Sequence, residues 1–209
     1  MKFKVLSIMD RTEQLEAIRD IRKMMNRSVR FLSLSGLSGV FAGIYALIAG
    51  FIVFTYTKGI LLWDTYSLKD IEFFVALGTV TLILAVSTAF LLTRRKAKRE
   101  GARLWDESAK NVLINLCIPL IVGGILCIAL VSHGLNGLLA PTTLIFYGLS
   151  LVNASKYTFS TIRQLGMIEI VLGLLNSFFI GFGLVFWVAG FGVFHIIYGI
   201  YMYYKYDRA

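Results

Sequence analysis

Charge, cysteine, histidine and proline are all scarce in this chain of 209 residues. Asp, Glu, Lys and Arg make up 16% of it, against about 25% in a water-soluble domain. Apolar residues make up 57%, above the roughly 45–50% usual for soluble domains. That balance excludes a water-soluble globule. The two cysteines, Cys117 and Cys127, are ten residues apart in one apolar stretch, which on a helix is about 15 Å of rise and different faces. They do not bridge each other. Without a Cys-x-x-Cys pair or a Cys/His cluster, structural zinc and dithiol redox chemistry are unsupported, and neither a metal site nor a cofactor is expected.

What the chain has is long uncharged runs. No charge falls in the 27 positions between Arg30 and Lys58, or in the 21 between Glu72 and Arg94. Each gap has the length of one membrane span. Residues 111–155 are also uncharged, but 45 positions are too many for one crossing. The break is expected at Ser132-His133-Gly134-Leu135-Asn136-Gly137, where glycine and asparagine mark a turn. Pro141 then falls in the first turn of the next helix, where its missing N–H costs nothing. Residues 164–204 carry one charge, Glu169, and fit two spans joined near Gly181-Phe182-Gly183. A re-entrant hairpin, covered by surrounding protein, is the alternative for this last pair.

The expected fold is therefore all-α: a polytopic membrane bundle of six transmembrane helices, at about 31–57, 73–93, 111–132, 138–155, 164–181 and 183–204. Six spans of ~20 residues use about 120 positions, so 31–209 reads as one transmembrane domain with no room for a separate soluble one. Residues 1–30 read as a cytoplasmic amphipathic helix. Asp10 and Glu13 have capping spacing, and Leu15, Ile18, Ile21, Met25 and Val29 recur at helical intervals. The start Met1-Lys2-Phe3-Lys4 is basic, but the apolar run behind it is too short for a cleavable signal, so the N-terminus is expected to be retained.

Charge then orients the bundle, because cytoplasmic loops collect Lys and Arg. With both termini inside, eight basic residues fall in 1–30, seven in 94–110, two in 156–163 and two in the tail, leaving only Lys58 and Lys69 outside. Trp63 and Trp187 lie near the expected outer boundary, and Tyr201, Tyr203, Tyr204 and Tyr206 near the inner one, as interfacial aromatics do. The expected partners are the bilayer with its anionic inner-leaflet lipids, a second copy of the chain, or a cytoplasmic protein on the basic face. The run Arg94-Arg95-Lys96-Ala97-Lys98-Arg99 reads as a stop-transfer signal. It is short and lacks interleaved aromatics to stack on bases, so nucleic-acid binding is not expected.

Ionisable groups inside a span are functional candidates by default, and two qualify, Glu169 and His195. A turn at Phe182 puts each 13 residues away, at equal depth on antiparallel helices. Gly173, Asn176 and Ser177 follow on the Glu169 face. The candidate site is Glu169 with His195, binding a proton or small cation, with Asn176 as a further oxygen ligand. The structural alternative has Glu169 snorkelling to water and His195 bonding a neighbouring helix. Ser35, Gly39 and Gly43, then Ala42, Ala46 and Gly50, then Gly173, Ser177 and Gly181, repeat small residues at four-residue spacing and are expected to pack helices closely.

Two resemblances add to this. Gly36-Leu37-Ser38-Gly39 with His195 in the last span is similar to the Gly-x-Ser-Gly and last-helix histidine of rhomboid intramembrane proteases, which implies a Ser38 nucleophile with a His195 base. In that family the serine lies in the fourth helix of the core, and here it is in the first span. The cadence from Leu37 to Tyr45 and the close from Phe191 to Ile200 resemble small bacterial six-helix integral membrane proteins. That resemblance implies a bacterial cytoplasmic membrane and carries no activity with it. Three functional readings follow: first a non-enzymatic membrane-embedded subunit or scaffold, then a small oligomeric transporter or channel using Glu169 and His195, then an intramembrane serine hydrolase.

Overall fold

The computed structural model describes residues 15–16, 34–58, 67–101 and 105–208. Leu15 and Glu16 are helical, and the rest of the amphipathic segment expected over 1–30 lies outside the described residues, as does Trp63. The described residues form six long helices and no strand. They are α1 (Gly36–Tyr56), α2 (Leu68–Arg99), α3 (Glu107–Ser132), α4 (Leu139–Ala154), α5 (Thr161–Phe178) and α6, the run Ile180–Asp207. Five runs are long and apolar enough to cross a membrane, and α5 is the one that is not among them. It has 18 residues, about 27 Å of rise against a hydrocarbon core of about 30 Å. Arg163, Gln164, Glu169 and Asn176 lower its apolar content further.

Caps explain where the helices depart from their expected bounds. α2 begins five residues before 73 because Ser67 and Asp70 form a capping box: the Ser67 backbone N–H donates to Asp70 Oδ2 at 2.8 Å and the Asp70 N–H to Ser67 Oγ at 3.3 Å. It runs on past Thr93 because Lys96, Lys98 and Arg99 suit the negative end of a helix. Asp106 starts α3 by accepting from the Ala109 N–H at 2.7 Å. At its end Gly134 adopts φ 72°, and the N–H groups of Gly134 and Leu135 donate back to Val131 and Leu130, the glycine-closed helix end expected there. Pro141 lies in the first turn of α4.

α1 packs between α2 and α6, α4 packs between α3 and α5, and α6 joins the two halves through α4 and α5. The join is built on glycine. A Cβ at Gly199 would stand 2.8 Å from the Gly36 carbonyl oxygen, one at Gly39 3.2 Å from Gly199 Cα, and one at Gly43 2.6 Å from the Gly192 carbonyl. In the other half, Gly148 and Gly166 oppose each other in the same way, each Cβ falling 2.6–2.7 Å from the other's carbonyl oxygen. Gly173 packs on the Pro141 carbonyl and Ile145. Gly181 departs from expectation: nothing lies within 4 Å of a Cβ there, because the chain has left α5 for a single 3-10 turn. The outward faces of α2 and α3 stay apolar, with Leu82, Ile83, Val86, Ile121, Ile125 and Ile128 all more than half exposed.

Gly199→Val is expected to force the α1/α6 backbones apart and lower stability by at least ~1–3 kcal/mol. Gly124→Ala, in open space, is expected to be neutral or mildly stabilising. Thermal unfolding in detergent micelles compares the two.

Candidate functional site

Helix α5 turns two of its polar residues inward, Glu169 and Asn176, both 0% exposed, while Arg163 and Gln164 in its first turn are exposed. Glu169 meets His195 of α6, with Oε1 3.3 Å from Nδ1. His195 Nδ1 is also 3.0 Å from the Gly190 carbonyl oxygen, and Nε2 is 2.8 Å from the Tyr147 hydroxyl of α4. Three helices thus converge on one imidazole. In the neutral ring the Nδ1–H donates to Gly190 and Nε2 accepts from Tyr147. Among the described residues neither Glu169 oxygen has a hydrogen-bond partner, and the carboxyl group lies against the nitrogen-bearing edge of the His195 ring. Phe191 lies 5.0 Å from the Tyr147 ring and 5.9 Å from the imidazole, with Trp187 beyond it at 5.1 Å. These rings keep the environment apolar, where electrostatic interactions are strong.

The backbone of α6 makes room for this. Residues Val188–Phe194 are π-helical between the α-helical turns Gly183–Trp187 and His195–Met202, a wider turn that often marks functional sites. The Gly190 carbonyl inside it reaches the His195 ring. A Cβ at Gly190 would run into Glu169 Oε2 and stand 2.6 Å from Leu144 Cδ2. The missing side chain is therefore the space that the carboxyl group fills.

Asn176 is on the same face but seven residues along, about 10.5 Å of rise, and among the described residues neither of its side-chain polar atoms has a partner. The structure does not place it beside the Glu169–His195 contact. Ser177 donates to the Gly173 carbonyl of its own helix at 3.0 Å. Among the described residues no three His, Cys, Asp or Glu gather in a way that could hold a metal ion. The Ser38–His195 pair that the rhomboid resemblance implies does not form: Ser38 Oγ donates to the Ser35 carbonyl at 2.5 Å, and both His195 nitrogens are engaged elsewhere. Tyr147 is the member that sequence reading missed. It lies seven residues before the end of α4 and Glu169 eight after the start of α5, so the depth counting that paired Glu169 with His195 also reaches it.

A second polar centre sits at one end of the bundle. Asp207 Oδ2 accepts from the Gly36 N–H at 2.9 Å and the Ser35 hydroxyl at 3.0 Å, capping α1, while Oδ1 pairs with Lys96 at 2.7 Å. The Lys96 and Asp207 side chains are each 6% exposed. Lys96 also donates to the Leu34 carbonyl and lies over the Phe159 ring, which stacks on Tyr206 at 4.2 Å. This clasp ties the start of α1, the end of α2, the α4–α5 turn and the tail. The opposite end carries the Tyr56 to Asp70 hydrogen bond and the approach of Ile180 to Gly137.

Compared with protein-family models, curated proteins and solved structures, the chain matches none.

Removing one partner of a buried pair costs on the order of 3–5 kcal/mol, because the other charge is stranded. Lys96→Ala is expected to lose about that much. Adding Asp207→Ala to it is expected to recover part of the loss, a double-mutant cycle read by thermal unfolding in micelles.

Proposed function

We propose that this chain is a multi-pass protein of a bacterial cytoplasmic membrane, of the small six-helix kind, acting as a small transporter or channel whose Glu169–His195 layer binds a proton or small cation. The observation that carries the reading is a carboxyl group with zero exposure, held by no hydrogen bond among the described residues and set against the ring of His195. Such a group is expensive in an apolar interior, and a packed leucine would be cheaper there if support were its only purpose. In this reading α5 is the sixth crossing, with Glu169 and Asn176 turned to protein and Val171, Leu174 and Phe178 turned outward. The end carrying Arg94, Arg95, Lys98, Arg99, Lys205 and Arg208 lies inside, as the bias in basic residues requires. Anionic inner-leaflet lipids then supply a partner, each basic residue near them contributing about 1 kcal/mol.

A second reading, a membrane-embedded subunit or scaffold, is favoured by the clasp. It gathers exposed basic residues around the buried Lys96–Asp207 pair, a surface suited to an acidic cytoplasmic protein.

Proteoliposomes holding the purified chain and a pH-sensitive dye separate the two. Wild type is expected to dissipate an imposed proton or cation gradient, and Glu169→Gln, folded by circular dichroism, to slow this at least tenfold. A wild type as tight as empty vesicles overturns transport in favour of the docked subunit.

A further inference from the structure

The identity of the ligand follows from which atoms surround Glu169, given that the layer is a binding site as read above. A metal cation such as calcium takes six to eight oxygen ligands, and magnesium a near-ideal octahedron. The recorded contacts around His195 and Glu169 supply one carboxyl group, one ring, one backbone carbonyl and one phenol, and no cluster of metal-ligating side chains forms among the described residues. An imidazole edge-on to the carboxyl group is a poor cation cage and a good proton site.

The hydrogen bonds serve both protonation states. With a neutral ring, the Nδ1–H donates to the Gly190 carbonyl and Nε2 accepts the Tyr147 O–H. With an imidazolium, both nitrogens are donors: Nδ1–H is placed between Gly190 at 3.0 Å and Glu169 at 3.3 Å, and Nε2–H donates to the Tyr147 oxygen. A hydroxyl can reverse in this way because it both donates and accepts. Charge points the same way. A carboxylate beside a neutral imidazole leaves one uncompensated negative charge in an apolar interior, and a single added proton removes it, whether it rests on carbon-bound oxygen or on ring nitrogen.

We propose that the ligand of this site is a single proton shared by Glu169 and His195, and that Tyr147 is its positioning residue, reversing its hydroxyl as the proton arrives and leaves. The proton comes from water and returns to water, and no bond to carbon changes. The other ionisable groups on the elements packed against α5 are Tyr198 on α6, Lys156 and Tyr157 in the α4–α5 turn, and the tail from Tyr201 to Arg208, gathered at the clasp end. α1, packed behind α6, adds Tyr45, whose hydroxyl is engaged with Thr88.

The test is infrared difference spectroscopy on the full chain in lipid vesicles, stepping the pH in sodium-free buffer. Wild type is expected to show one coupled carboxyl and imidazole transition as the pH is stepped, with the carboxyl band absent in Glu169→Gln. Tyr147→Phe keeps the aromatic ring and removes the Tyr147–Nε2 bond from both states, and the protonated state loses the stronger, charge-assisted one. Its midpoint is expected at lower pH, with proton affinity weakened about tenfold. No transition in wild type, or a Tyr147→Phe midpoint equal to that of wild type, overturns the proposal. Sodium flux without any such transition sinks the proton while leaving transport standing. A transition without flux keeps the proton and removes transport.

Discussion

Everything in this bundle depends on how closely two backbones can approach. Lipid chains are as apolar as leucine, so helices in a bilayer gain little by hiding apolar side chains from them, and packing and interhelical hydrogen bonds decide association. Gly36, Gly39, Gly43 and Gly199 let α1 and α6 lie against each other, and Gly148 with Gly166 does the same for α4 and α5. The outer helices show the converse. α2 and α3 touch one neighbour each for most of their length and leave their large aliphatic side chains outward.

The glycine crossings also make the polar centres affordable. Once α6 is held near α4 and α5, His195, Tyr147 and Glu169 share one layer, and Gly190 leaves the volume that the carboxyl group takes. The clasp works at the end of the same helix. Asp207 satisfies the first free N–H of α1 and neutralises Lys96 in a place where either charge alone would be stranded. A helix held at mid-height through His195 and at its end through Asp207 keeps a fixed rotation.

Much of this was legible in the chain. The uncharged gaps between Arg30 and Lys58 and between Glu72 and Arg94 became helices, the Gly134 turn fell where glycine and asparagine marked it, and counting from Phe182 put Glu169 and His195 at one depth. The errors have physical causes. Ser67 and Lys96–Arg99 extend α2 through capping and the helix dipole, which hydropathy does not register. Gly181 shares the spacing of a packing stripe but lies in a turn, where spacing no longer implies a common face.

The order of residues alone determined that the chain is helical and rich in segments able to cross lipid, and it singled out the ionisable pair, because segment length and charge are properties of local sequence. Only the tertiary structure decided which groups meet. Tyr147 reaches a histidine 48 positions away and Asp207 a helix start 171 positions away. Those contacts depend on how far each helix is rotated and which neighbours flank it, quantities fixed by the glycine crossings and carried by no local pattern.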